Sequence, residues 1–428
     1  MERIAEEEVV IVGAGIAGLA TAVALKRVGI RALVLERSDC LRATGAALTL
    51  FPNAWRALDA LGVSHKLTPL YAVREKSYVT NVTTGAIQEV SLSRNNRGGP
   101  ITVHRKALLE SLAEELPSNS IRFSSKLISF EVEAQAEEGL YIIRLEDGTV
   151  ITAKVLIGCD GVHSLVARKL GLAEPVNSGR SAVRGLAVFQ EGHGLGDEVQ
   201  QFLDVNIRAG MVPLNDKEIY WFLTFKSTLQ GCLCLINGSD IILISGEAMA
   251  RDPEQIQRQV IENFAKNFPP TYAEVVRHCD LSTLTWAPLL MRLPWHLIFG
   301  NVSKGTMTVA GDAMHPMTPD LGQGGCSALE DAVVLGRHIG NSFIDNGRLV
   351  PGAVAGAIEG YVKERRWRTT GLITGSYISG WAQLGGDGWL MKLFRDVIFY
   401  RFIFKRLVGG ADYDCGKLPL LNEQNKPQ

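Results

Sequence analysis

Three glycines spaced Gly13-x-Gly15-x-x-Gly18 stand between a β-branched run, Val9 to Val12, and a segment of helical spacing, Ile16 to Val28. Each has its own physical task. Gly13 allows a tight turn, Gly15 lets bare backbone approach a pyrophosphate, and Gly18 lets the helix lie close on the strand. The helix then starts with free N–H groups and a partial positive charge, which favours an anion by ~0.3–1 kcal/mol. A second apolar run, Ala32 to Leu35, ends in Glu36. A carboxylate there can accept both ribose hydroxyls and would repel a 2′-phosphate. This βαβ unit predicts a dinucleotide with an unphosphorylated ribose, FAD or NAD.

A second group of chemistry-bearing residues lies about 300 residues later, in "GDAMHPMTPDLGQGG", Gly311 to Gly325. A strand, Met307 to Ala310, ends in Gly311-Asp312, so a carboxylate can reach ribityl hydroxyls. Gly322, Gly324 and Gly325 place bare backbone ahead of a helix expected to begin near Ser327. Its N–H groups suit the anionic pyrimidine edge of a reduced flavin. NAD needs no such distant wall, whereas FAD, with its ribityl chain and ring, does. Between the two clusters, Asp160-Gly161 follows an apolar strand and precedes a helix carrying Arg168. Arg105 stands ahead of an amphipathic helix, where it can reach phosphate or ribityl oxygen. His315 reads as a proton-transfer group or as a shaper of its loop. Gln323 reads as a contact at the flavin face or as loop packing, and Arg42 as a phosphate contact or a solvated cation. His193 is expected in a solvated loop. Tyr220, Trp221 and Phe222 alternate in a strand, so that one can face a pocket while others are core.

In this order the motifs resemble those of the flavoprotein aromatic hydroxylases, the single-component FAD monooxygenases of the salicylate and hydroxybenzoate hydroxylase type. Plant monooxygenases and the catalytic part of zeaxanthin epoxidase share the pattern. The resemblance spans roughly residues 8 to 370 and includes a fourth stretch, "GAALTLFPNAWRALDALG" from Gly45 to Gly62, where the family has a flavin-contacting loop and then an Asn-bearing helix. It implies an α/β fold, with a Rossmann-like FAD-binding domain interleaved with an antiparallel β-sheet substrate domain and a helical C-terminal region. The expected boundaries are 1–75, 100–180 and 280–355 for the first, 76–99 and 181–279 for the second, and 356–428 for the third. The implied FAD contacts are Gly13, Gly15, Ile16, Ala17, Gly18, Glu36, Arg37, Ala47, Arg105, Asp160, Arg168, Gly311, Asp312, Gly322, Gly324 and Gly325. Asp160 and Arg168 are also implied in NAD(P)H binding. The implied reaction is hydride transfer from NAD(P)H to non-covalent FAD, O₂ addition at flavin C4a, and transfer of the terminal hydroperoxide oxygen to an aromatic or alkene. An isoprenoid reductase or epoxidase relative and a non-catalytic FAD-fold binding protein are the alternatives. No second G-x-G-x-x-G, R-x-G-G-R or W-x-W-x-I-P occurs, which argues against Baeyer–Villiger-type monooxygenases, amine oxidases and tryptophan halogenases.

The rest of the chain must position these residues. With 428 residues, 46% of them apolar, it can bury a large core, and a net charge of −1 gives no reason to expect a nucleic-acid partner. Seven scattered cysteines suggest free thiols in a reducing compartment, with no zinc-type spacing. The short acidic "MERIAEEE" does not read as a targeting segment, so a cytoplasmic location is expected. "WLMKLFRDVIFYRFIFKRLV", from Trp389, reads as an amphipathic helix that packs on the body, with peripheral membrane docking as the alternative. Runs between Ser181 and Phe225 read as antiparallel strands, and Asp252-Pro253 as the capped start of a helix. "CLCLINGSDIILIS", Cys232 to Ser245, reads as a hairpin and looks like an insertion, with a core hairpin as the alternative.

Overall fold

The run Val9 to Val12 becomes the inner half of a strand, Arg3–Val12, enclosed between parallel neighbours Val150–Gly158 and Ala32–Leu35. Apolar residues at successive positions are what a parallel strand covered on both faces requires. The structure is a computed structural model that describes residues 3–42, 46–92, 99–132, 140–227, 232–237, 240–245, 252–384 and 410–420. The first sheet runs Ser303–Lys304, Met307–Val309, Val150–Gly158, Arg3–Val12, Ala32–Leu35, Ile121–Arg122, with Leu127–Val132 and Tyr141–Leu145 attached antiparallel beside Val150–Gly158. The crossover helix, Ile16–Arg27, is buried from Ile16 to Leu25. Its outer side is covered by a second helix, Gly324–Asn346, through a notch. A Cβ on Gly336 would lie 2.6 Å from Ala24 Cβ, and one on Gly340 would lie 2.8 Å from Val28.

The second sheet has seven strands in the order Cys279–Met291, Val176–Val188, Glu218–Lys226, Ile207–Pro213, Val199–Asp204, Lys76–Asn81, Ile87–Ser91. All neighbours are antiparallel except Val199–Asp204 with Lys76–Asn81. Alternation along Glu218–Lys226 splits its side chains. Ile219, Trp221, Leu223 and Phe225 enter a core with Ile256, Val260, Phe264 and Tyr272 of the covering helices. Tyr220 is on the other face and packs with Leu186, Leu214 and Ala47, which ties this face to the first domain.

Several expectations are refined. Cys279–Met291 pairs with Val176–Val188, so the segment assigned to 280–355 contributes its first strand to the second sheet, and that sheet begins before 181. The helix at Asp252 is capped as expected, Gln255 N–H donating to Asp252 Oδ1 at 3.1 Å, but it passes into a π-helical turn at Val260–Phe264. The helix expected near Ser327 starts at Gly324. Cys232–Asn237 and Asp240–Ser245 pair with each other and, among the described residues, with no other strand. Beyond a long helix, Pro351–Leu384, the amphipathic segment from Trp389 lies outside the described residues. Among those described, no helix is long and apolar enough to cross a membrane.

Asp320 joins the sheet to the Gly311–Gly325 loop through two ion pairs, a close one with Arg180 and a looser one with Arg208, whose Nη1 lies 3.8 Å from Asp320 Oδ1. Both Nη atoms of Arg180 donate to the two carboxylate oxygens of Asp320 at 2.9 Å, and both residues are buried. Gly380 of the long helix lies against the pair, where a Cβ would come 2.5 Å from Asp320 Oδ2. Removing one partner from such a pair leaves a buried charge uncompensated, a cost of ~3–5 kcal/mol, whereas an apolar pair of similar volume is often neutral. Asp320→Ala should lose stability on that scale in urea unfolding, and Arg180→Met/Asp320→Leu should regain part of it, with Arg208 then lacking this carboxylate.

Candidate active site

The fold brings the two glycine clusters into contact. Gly13, at φ +102°, turns so tightly that a Cβ would lie 2.5 Å from Cys159 O, while Gly15 faces open space. Gly311, at φ +61°, packs on Ala17, with 2.7 Å between its Cβ position and Ala17 Cβ. Gly325 meets Leu48 at 2.9 Å and Ile16 at 3.5 Å in the same sense. Ile16, Ala17, the Ala47–Leu50 strand and the late loop thus form one wall. Gly322, at φ +64°, is exposed above Phe51, and Gly324 touches only Met317.

Polar groups line the opening. Glu36 is buried at the end of its strand, its Oε2 accepting from Ala14 N–H at 2.8 Å and its Oε1 from Ser38 N–H at 2.9 Å. These bonds aim the carboxylate over the glycine turn, with Arg37 exposed beside it. Asp312 is exposed and makes no hydrogen bond with the described residues. Burial lowers the Arg105 pKa; Asp312 favours its charge, and Arg184 and Arg42 oppose it. Arg105 Nε is buried without a hydrogen-bond partner among the described residues. A buried guanidinium, Arg105, with the Asp312 carboxylate in its field and bare glycine backbone nearby suits a pyrophosphate followed by a polyol, as in FAD.

Asp160 sits behind Gly13, its Cα 3.2 Å from that residue's Cβ position. It accepts from Ser164 Oγ at 2.5 Å and Leu165 N–H at 2.7 Å, so its carboxylate caps the helix Leu165–Lys169. Burial raises its pKa against these bonds. Arg168 points outward, its Nε 2.8 Å from Glu174. His193 is bound within its loop to Asn215 O and Leu195 N–H.

Beneath the loop lies a charge network. His315 has no exposed surface; its Nε2 lies 2.6 Å from Asp331 Oδ2, and its Nδ1 has no partner. Asp331 also accepts from Gly311 N–H at 2.8 Å and from Arg365 Nε at 2.7 Å. Burial alone would raise the Asp331 pKa, but His315 and Arg365 outweigh it and bring it down to about 2. Arg365 Nη1 donates to Glu330 at 2.5 Å, and Arg368 Nη2 donates to Glu330 at 2.8 Å. Arg292, also buried, donates to the carbonyls of Ala313, Met314 and Ala173. The described contacts of His315 therefore hold the loop in place. Gln323 is buried at the loop's far end, where its Oε1 accepts from Asn53 Nδ2 at 2.9 Å.

Facing the loop is the inner surface of the second sheet. Arg184 stands opposite Phe222, and Leu186 opposite Tyr220, in the strand register. The Tyr220 and Phe222 rings are 6.3 Å apart, with the Arg208 guanidinium 5.6 Å from the Phe222 centroid. Arg184 makes no hydrogen bond or ion pair among the described residues. Trp221 turns into the core behind. The pattern along the chain marks the glycine turns now seen in contact, but it does not single out Arg184, Arg292, Glu330, Asp331 or Arg365. The available signal was two adjacent acids, Glu330-Asp331, inside an otherwise apolar helical run.

Residues 6–232 match the FAD binding domain family. The chain is 38% identical over 428 residues to Monooxygenase 2 of Arabidopsis thaliana, covering 98% of this chain and 100% of that protein. It is 28% identical over 335 residues to an FAD-dependent urate hydroxylase of Mycolicibacterium vanbaalenii, covering 77% and 78%. Its fold is similar to a crystal structure of Klebsiella pneumoniae HpxO complexed with FAD and uric acid, with a TM-score of 0.74, 23% identity and coverage of 95% and 96%.

The network has a pH signature. The Asp331 pKa is depressed from 3.8 to about 2, so its contribution to stability is full above pH ~4 and is lost as pH falls through about 2. Asp331→Asn should cost ~3–5 kcal/mol near pH 7. The gap between variant and wild-type melting temperatures should narrow as pH falls from 4 to 2.

Proposed function

The chain belongs to the FAD-binding flavoprotein monooxygenases, and on that premise we propose that it uses NAD(P)H and O₂ to hydroxylate or epoxidise a small aromatic or conjugated substrate. One juxtaposition supports the reading: the face bearing Tyr220, Phe222 and Arg184 is set against the loop that carries Asp312 and Gln323. The residues present fit FAD. Gly13, Gly15 and the first helix would hold the pyrophosphate, Glu36 the ribose, Asp312 and Arg105 the ribityl chain, and the Gly322–Gly325 backbone the ring. Bound FAD supplies a hydride acceptor and a centre that activates O₂.

The chain's own part is orientation and exclusion of water. Tyr220 and Phe222 offer flat apolar surface to a planar ring. Arg184, lacking a carboxylate of its own, is suited to an acidic or strongly polar substituent. The related urate hydroxylases are named for a planar, polar ring, and a substrate of that kind meets both features. An isoprenoid would meet Arg184 and Arg208 where it needs apolar wall. The free thiols among the described cysteines accord with a cytoplasmic enzyme.

The purified protein should be yellow with non-covalent FAD. Asp312→Ala should lose ~1.5–3 kcal/mol of FAD affinity, read by titrating apoprotein. NAD(P)H oxidation should be slow alone and faster with particular members of a panel of phenolic and indolic acids. For the best of these, Arg184→Met should raise KM at least about tenfold, the loss of one charge-assisted hydrogen bond. A panel in which no compound accelerates oxidation by the FAD-loaded protein would count against the assignment.

A further inference from the structure

Asn53 stands second in the helix Pro52–Leu61, far in sequence from the late loop, yet it is fully buried beneath it. Its Nδ2 donates to two acceptors, Glu330 Oε1 at 2.5 Å and Gln323 Oε1 at 2.9 Å. An ionised carboxylate can only accept hydrogen bonds, whereas a side-chain amide can present either end. Glu330 thereby decides which way round Asn53 stands. Turned over, Asn53 would bring Oδ1 against the carboxylate and lose both bonds. As it stands, the remaining cost is one buried Oδ1 without a partner.

The constraint passes on. With both Asn53 hydrogens used, Gln323 must offer its oxygen inward, and its Nε2 is left with no acceptor among the described residues. Glu330 is kept ionised for this purpose: burial opposes its charge, but Arg365 and Arg368 outweigh burial and lower its pKa. Gln323 itself lies between Gly322 and Gly324, the bare backbone of the cleft wall.

We propose that Asn53 is a positioning residue that fixes the polarity of the Gln323 amide, so that the cleft receives an N–H donor aimed at an acceptor atom of the flavin's pyrimidine ring. The proposal rests on the FAD assignment above and adds to it a direction: the side chain at 323 gives a hydrogen bond to the ring and does not take one. Glu330 sets the direction, Asn53 transmits it, and Gln323 delivers it.

The test is FAD titration of apoprotein, followed by quenching of flavin fluorescence, with no substrate present. The proteins are wild type, Asn53→Ala, Gln323→Leu, the double variant and Gln323→Glu. Asn53→Ala should raise Kd about threefold in the wild-type background, the loss of part of one neutral hydrogen bond. On Gln323→Leu it should change nothing, because no amide remains to be oriented. Gln323→Glu keeps the inward contact with Asn53 but offers the ring an acceptor, and should raise Kd about tenfold or more. An equal effect of Asn53→Ala in both backgrounds would make Asn53 a packing residue and overturn the relay. A Gln323→Glu protein that binds FAD as tightly as wild type would overturn the donor. Should Asn53→Ala not fold, Asn53→Leu, which removes both amide donors and fills the space, enters the same cycle with the same two outcomes. Wild-type apoprotein that ignores FAD would sink the cofactor assignment and the relay with it, a failure distinct from either of the others.

Discussion

Arg365 has no exposed surface and is gripped by Glu330 and Asp331, neighbours on one helix, while its Nη2 also donates to Ser327 Oγ at 2.8 Å. This guanidinium holds the late loop at both ends, while Arg180 and Arg292 grip it between. Arg365 holds Gly311 and His315 at the loop's start through Asp331, and Gln323 near its end through Glu330 and Asn53. Its pKa is raised, since both carboxylates outweigh the effect of burial. A loop rich in proline and glycine has little helical or sheet hydrogen bonding of its own, so its shape must come from outside. Burying such a cluster costs several kcal/mol per ion, recovered only if every member is paired. That requirement makes the arrangement rigid, and a rigid wall is what a cofactor with many polar edges needs.

The glycine turns were legible in the sequence because their demands are local. Gly13 takes the positive φ of its turn, Gly18 lies against Gly13 O five residues back, and Glu36 closes the same unit, whereas the pressure of Cys159 on Gly13 is not local. The strands of the second sheet were legible through alternation, as in Tyr220, Trp221 and Phe222. The charge network was not. Arg365 and Arg368 lie in "KERRWR", which reads as a solvated basic run, and only the packing of Pro351–Leu384 on Gly324–Asn346 turns two of those arginines inward. Arg180 and Asp320 are 140 residues apart with no motif between them. Long-range pairing of charges has no period and no spacing, so no pattern along the chain announces it.

Among the contacts that join the two domains, two bear directly on the cleft. Arg180–Asp320 fixes the sheet to the loop, and Ala47 packs with Leu186 and Leu214. Because the sheet's inner face and the loop's outer face are held by the same Asp320-bearing segment, a shift in one is felt by the other.

The aromatic ring of Tyr413 lies over Arg368 at 4.6 Å and Arg365 at 5.5 Å, and its hydroxyl reaches Glu364 at 3.1 Å. This adds a seal to the network from a segment that follows the long helix Pro351–Leu384. The glycine turn at Gly13–Gly18 is separated along the sequence from the partners of the opposite wall, which lie at residues 311–331, 365–368 and 413. Contacts of such long sequence separation close slowly and late. Until those contacts form, the glycine turn is a nucleotide cradle with one side missing, so its closure waits on the slowest contacts of the fold.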